Sequence, residues 1–310
     1  MDTGVHDIAI VGGGPAGLSA GIWLARYLHS VVLVDSGDPR NWATRSVNGF
    51  LGLPRIRPPQ LRELGRAECR RYGVTLVDEI VDRVHQPEEE HFILDLQSGA
   101  RYESRRLLLA IGLRDRWPDI PGLDHVFGAN AHVCPDCDGY ECLGKKTVVV
   151  GTGRKAVGLA LNLTTWTHNI IICTNGEPPG FDRDEYCGKL DALNIPVITE
   201  RVTCLTTVDR SREIYSLELA NGMCLDVDKL FFTFGQHAAD DLGAQLGCER
   251  DEDGQIIIDG HYRTSVLNVF AAGDIVPGPQ LAIAAASDGA MAALAIHKSL
   301  VPEERKLTSV

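Results

Sequence analysis

The chain has 310 residues, 44% hydrophobic and 23% charged, enough to bury the cores of two medium domains or one large one. Its 30 basic and 42 acidic residues leave a net charge of -12, which argues against nucleic acid or an anionic membrane surface as a partner. The 9 cysteines are odd in number and contain one CxxC, which argues against a secreted disulfide framework.

At the N-terminus no basic stretch precedes an apolar one, so no leader is expected and the location reads as cytoplasmic. The apolar run Ile8 to Val11 enters a glycine turn, a helical pattern continues to about Leu28, and Val31 to Val34 form a second apolar run ending at Asp35. This order predicts a βαβ unit. Gly12-x-Gly14-x-x-Gly17, with Pro15 and Ala16 inside the turn, permits a pyrophosphate to approach the backbone at a helix N-terminus. Asp35 stands where an acid can bind a ribose diol. Residues 91 to 105 alternate as antiparallel hairpins do, and 106 to 113 read as a buried strand whose Gly112 is assigned to the same site.

Next comes the CxxC pair, Cys134 and Cys137. A zinc site could be drawn from His132, Cys134, Cys137 and Cys142, but no second CxxC supplies the usual spacing. An iron–sulfur cluster needs a fourth cysteine from far away. Two inert thiols are a further alternative. A redox disulfide suits a chain with a dinucleotide fingerprint best, because a CxxC thiolate can exchange with disulfides.

A second, weaker βαβ pattern follows: Thr147 to Val150, the turn Gly151-x-Gly153-x-x-Ala156, a helix, and Ile170 to Cys173. Arg154 and Lys155 stand at that helix start, where an anion binds. Residues 173 to 182 contain no Arg or Lys, and Cys173-Thr174-Asn175 offers no acid at the strand end. Hairpins are expected over 202 to 224, a strand within 225 to 236, and a long helix from Leu281 to about Leu300, with a polar tail over 301 to 310. Ser287-Asp288-Gly289 interrupts that helix too early for a membrane span. The expected fold class is α/β, with two Rossmann-like three-layer nucleotide-binding domains. The first comprises 1–115 and 245–310, and the second, 116–244, is inserted in it and carries the CxxC pair.

"VGGGPAGLSA", "CPDCDG" and "VFAAGDI", in this order, resemble the low-molecular-weight thioredoxin reductases over nearly the whole chain. The resemblance implies FAD in the first site, with Gly273 and Asp274 at its ribitol and pyrophosphate. The family's Arg-Gln-Ala at the flavin ring is Gln280-Leu281-Ala282 here. It further implies that Cys137 exchanges electrons with flavin, Cys134 meets the substrate sulfurs and Asp138 is the acid/base. Asp136 is outside the pattern, and its charge opposes a thiolate nearby. "GYE" resembles the branch that acts on small dithiols, such as gliotoxin-type oxidases, which usually have His in place of Asp138.

The family's NADPH-binding Arg pair is missing, and its Glu pair is Gly158-Leu159. For the second site three alternatives stand. It is a relic, it binds NADPH through other contacts, or it holds a second FAD as in diflavin-linked disulfide oxidoreductases. Trp166 would stack on that ring or serve as a core residue. The resulting expectation is an FAD-dependent dithiol/disulfide oxidoreductase that oxidises dithiols and holds no metal. Its substrate would be a small dithiol or disulfide or a thioredoxin-like protein, and a homodimer is implied. The alternatives are an NAD(P)H-dependent thioredoxin-disulfide reductase and a non-enzymatic metal-binding scaffold.

Overall fold

The computed structural model describes residues 4–181, 186–207 and 213–306. It separates into two compact units. One comprises Met1–Trp42, Phe50–Arg114 and His237–Val310, and the other Ala43–Gly49 and Asp115–Gln236. Residues 237–244 therefore lie with the first unit rather than the inserted one, and 43–49 lie with the second.

The first unit is built on β1 (His6–Val11), α1 (Pro15–Arg26), β2 (Val31–Asp35), α2 (Pro58–Arg71) and β3 (Thr75–Asp78). It continues through β4 (Val81–Glu88), β5 (His91–Leu96) and β6 (Arg101–Leu109). Strand order is β3-β2-β1-β6-β5-β4, with Val269–Ala271 also paired to β6. β1, β2 and β3 are mutually parallel, as are β1 and β6, while β4, β5 and β6 run antiparallel. β1 and β2 are covered on both faces, which explains why all of Val31–Asp35 is buried and reads as a continuous apolar run. By contrast β5 alternates half-buried and buried residues, the period-2 pattern of a hairpin strand.

α1 starts where Pro15 sets the first helical φ, and α2 starts the same way with Pro58. The long helix Ala282–Leu300 packs on α1 through small residues. A Cβ placed on Gly289 would lie 2.0 Å from the carbonyl oxygen of Ala16, so the two backbones nearly touch there. Among the described residues no helix is long and apolar enough to cross a membrane.

In the second unit a parallel sheet runs Val197–Ile198, Ile170–Cys173, Thr147–Gly151, Lys229–Thr233, Ala131–His132. The helix Gly153–Leu163 follows Thr147–Gly151 and buries Ala156, Val157, Leu159, Ala160 and Leu163 on one side. A separate antiparallel sheet holds Val202–Thr207, Ile214–Leu219 and Cys224–Asp226. The α/β class and the hairpins expected over 91–105 and 202–224 are thus present, and the C-terminal helix begins one residue later than expected. Of the expected polar tail, 307–310 lie outside the described residues, and Glu303–Arg305 form a short 3₁₀ turn.

Candidate functional site

In the first unit the glycine turn joins β1 to α1, with Gly14 as the helix N-cap and Pro15 at the first helical position. The first-turn amides of such a helix have no intrahelical acceptor, so they are available to a ligand. Gly12 has φ +106°, and a Cβ there would lie 2.2 Å from the Ala110 carbonyl oxygen. Gly14, in contrast, faces open space. The turn is therefore a cradle shaped by its own lack of side chains, and it fits a dinucleotide pyrophosphate. Ala16 is buried beneath Gly273, whose added Cβ would sit 2.8 Å from the Ala16 side chain. That contact sets Gly273-Asp274 beside the helix start.

Asp274 accepts a hydrogen bond from Arg40 Nη1 at 3.0 Å, and the same nitrogen donates to Gln280 Oε1 at 2.7 Å. Arg40 thus puts a guanidinium beside the segment Gln280-Leu281-Ala282, whose Leu281 caps the long helix. Gly112 follows β6 with φ +69° and accepts from Ala239 N–H at 3.2 Å.

Asp35 ends β2, buried as the motif requires. Its carboxylate is held by Arg62, which also donates to the Gly13 carbonyl at 3.2 Å. Arg66 lies 3.4 Å from the same Asp35 oxygen and forks onto Asp78 at 2.7 and 2.9 Å. Both arginines sit one turn apart on α2, so one face of that helix carries two cations to the acid. Neither they nor Arg40 were among the sequence candidates. The available signal was the i, i+4 arginine pair on a segment opened by Pro58-Pro59.

In the second unit Cys134 and Cys137 form a disulfide with Cα atoms 5.4 Å apart. Cys134 caps the single-turn helix Pro135–Asp138, its sulfur accepting from Cys137 N–H at 3.2 Å. Both cysteines are partly exposed, Asp136 is exposed, and Asp138 is more covered. Asn48 Nδ2 donates to the Cys137 carbonyl at 3.0 Å, a contact from a distant segment that sequence spacing could not show. Asp138 Oδ2 lies 3.3 Å from His132 Nδ1. Cys142 is fully buried, and its sulfhydryl donates to the Asp138 carbonyl at 3.6 Å. Burial pushes the Cys142 thiol up to about 11, so at neutral pH it is an inert thiol. Among the described residues no three His, Cys, Asp or Glu side chains converge as metal ligands.

The turn Gly151-Thr152-Gly153 of the second unit is placed as the first turn is, before a helix, with Arg154 and Lys155 exposed at its start. Its surroundings differ. Gly153 N–H donates to the Pro179 carbonyl at 2.7 Å, and Gly180 packs against Gly153. The loop after Ile170–Cys173 is itself tied down, with Thr174 Oγ1 donating to the Glu177 carbonyl and Val202 N–H to Asn175 Oδ1 at 2.8 Å. Asp182, at the end of that stretch, lies outside the described residues. The donor that a pyrophosphate would take at Gly153 is bonded within the chain itself. Trp166 packs over Gly139 and against the core around Val157 and Leu163. It serves as a core residue.

The chain matches the pyridine nucleotide-disulphide oxidoreductase family over residues 6–289. It is 28% identical over 304 residues to the thioredoxin reductase of Helicobacter pylori, covering 94% of this chain and 97% of that protein. The crystal structure of HlmI is 35% identical, with a TM-score of 0.89 and coverage of 97% of this chain and 93% of that one. An oxidoreductase from Agrobacterium tumefaciens is 31% identical, with a TM-score of 0.85 and coverage of 96% and 99%.

Proposed function

Since the chain belongs to the pyridine nucleotide-disulphide oxidoreductase family and is a thioredoxin reductase-like enzyme, we propose that it is an FAD-dependent oxidase of dithiols working through Cys134 and Cys137. The observation that carries the reading is the Gly153 N–H bonded to the Pro179 carbonyl at 2.7 Å, which closes the nicotinamide cradle. The lack of Arg and Lys over residues 173 to 182 supports it further.

FAD, held by Gly12, Gly14, Pro15, Ala16, Gly17, Asp35, Gly112, Gly273, Asp274 and the Gln280-Leu281-Ala282 backbone, supplies a two-electron acceptor when bound. The protein supplies the thiol chemistry. A substrate thiolate attacks Cys134, and the electron pair of the broken S–S bond leaves on Cys137. The second substrate thiol then displaces Cys134, so the substrate becomes a disulfide and the CxxC pair a dithiol. Asp138 takes and returns the protons. Arg62 and Arg66 compensate the charge of Asp35 and orient it. The substrate is a small dithiol or a thioredoxin-like protein, and we propose a homodimer, as the resemblance implies, located in the cytoplasm.

Anaerobic stopped-flow bleaching of the flavin band tests this with NADPH, NADH and dithiothreitol in parallel. Dithiothreitol should bleach fastest, because a hydride donor must be held in place and such positioning supplies about 7–11 kcal/mol in favourable cases. Rapid, saturable bleaching by micromolar NADPH sinks the reading in favour of an ordinary reductase.

A further inference from the structure

We propose that His132 and Asp138 act as one proton-handling pair behind the CxxC disulfide, with His132 as a positioning residue for the Asp138 carboxylate. The proposal rests on the reading of Cys134 and Cys137 as the redox pair.

His132 ends the strand Ala131–His132, in register with Phe231, and its ring tilts against the Phe231 ring at 5.3 Å. Those contacts leave it 6% exposed, against 16% for Asp138. Nδ1 is 3.3 Å from Asp138 Oδ2. Nε2 is buried and has no hydrogen-bond partner among the described residues. Buried polar atoms are nearly always satisfied, so an orphan two residues before Cys134 calls for a role. Nδ1 faces the carboxylate and Nε2 is left without a partner, so a neutral ring that donates from Nδ1 has the capacity to accept one more proton at Nε2. An ordinary core histidine has both nitrogens bonded.

The chemistry balances around that capacity. In the first exchange a substrate thiol gives its proton to the pair, its sulfur bonds to Cys134 Sγ, and the Cys134–Cys137 bond breaks with the electron pair on Cys137. The pair passes that proton to solvent. In the second exchange, the other substrate thiol gives its proton to the pair, the two substrate sulfurs bond, and Cys134 leaves as a thiolate that takes this proton back. The substrate loses two electrons and the CxxC pair gains two.

Other groups facing the pair are few. Asp136 lies on the same helix, Glu141 and Cys142 on the turn that follows, and Lys229 on the neighbouring strand, with Arg45 nearby. Burial lowers the Lys229 ammonium below its ordinary value, while Cys142, Asp138 and Glu141 pull it back. Cys142, pushed up to about 11, takes no part at neutral pH.

The test compares wild type, His132→Gln, Asp138→Asn and the double variant. Reduction of the enzyme disulfide by dithiothreitol is followed by rapid quench and alkylation across pH 5 to 9, and alkylation of the reduced enzyme is followed over the same range. Each single substitution should slow exchange about 100-fold or more, in the range of a positioned acid/base. The double variant should be no slower than the slower single one, because groups acting as a unit are not additive. His132→Gln should also shift the pH profile of alkylation, which a purely structural histidine leaves in place. Exchange within twofold of wild type and an unshifted profile for His132→Gln overturn the proposal, as does a double variant whose loss is the product of the single losses. If His132→Gln does not fold, Asp138→Asn alone decides, since an alkylation profile matching wild type overturns the pair. The cysteines are read directly, without flavin turnover. A chain showing this coupling but failing to oxidise dithiols catalytically loses the oxidase reading and keeps the pair.

Discussion

At the scale of single residues, the proposed chemistry rests on the two cysteines of the disulfide and the acid beside them. Cys134→Ser and Cys137→Ser should each abolish dithiol oxidation while flavin stays bound, since the cradle at Gly12 lies in the other unit of the chain. Steady-state turnover with dithiothreitol and the flavin absorbance of the purified variants check this, and normal turnover by either variant moves the redox centre elsewhere. Asp138 and Asp136 separate by position: Asp138 is covered and set against His132, and Asp136 is exposed. Asp138→Asn should cut the exchange rate about 100-fold, toward the low end for a lost acid/base, with little change in substrate affinity. Asp136→Asn should be mild or raise thiolate content by removing a negative charge. Equal losses in kcat/KM from both variants would end the distinction. Cys134, Cys137, Asp138 and Asp35 were legible as candidates because short motifs contain them. Arg40, Arg62 and Asn48 escaped because each reaches its partner across tens of residues, through folding alone. His132 and Asp138 are near in sequence, but spacing alone does not show that a strand end and the following helix bring their side chains together.

At the scale of elements, legibility followed periodicity. The strands Ile8–Val11 and Val31–Val34 and the alanine-rich helix near 281–300 were readable, because full burial imposes long apolar runs. α2 went unread: its sequence PPQLRELGRAECRR is mostly polar, and it buries only Pro58, Arg66 and Cys69. The close packing of α1 on Ala282–Leu300 was equally hidden, since Gly289 looks in sequence like a helix interruption. In the fold it is the point of contact, where an added Cβ would lie 2.0 Å from the Ala16 carbonyl oxygen. Gly289→Ala should therefore destabilise the protein despite its better helix propensity. Overpacking of this kind costs about 1–3 kcal/mol, outweighing the gain of about 1 kcal/mol that alanine brings to a helix interior. The same displacement moves Ala16, at the start of the cofactor helix, so flavin retention should fall together with the midpoint in urea. An unchanged or higher urea midpoint would show that the helices can part without penalty.

At the scale of the whole molecule, two βαβ units of one design have diverged in what surrounds their glycine turns. In the first, the turn opens at Gly14 onto free space, the acid Asp35 is oriented by two arginines, and Asp274 is set close by Gly273. In the second, the corresponding turn has given its Gly153 N–H to the Pro179 carbonyl, and residues 173 to 182 contain no Arg or Lys. A dinucleotide entering there would first have to break that bond and displace the loop held by Thr174, Glu177 and Asn175. Arg154 and Lys155 at the helix start offer it exposed charge only, and exposed pairs are worth about 0–1 kcal/mol. The same sum applies to FAD as to NADPH, because both bind through a pyrophosphate. The purified protein should therefore contain one FAD per chain. Denaturing release of the flavin, its identification by chromatography and quantitation against amino-acid analysis give the ratio directly. A ratio of two would mean that the Pro179 loop opens for a second flavin, and would turn the enzyme into a diflavin oxidoreductase with an internal electron acceptor.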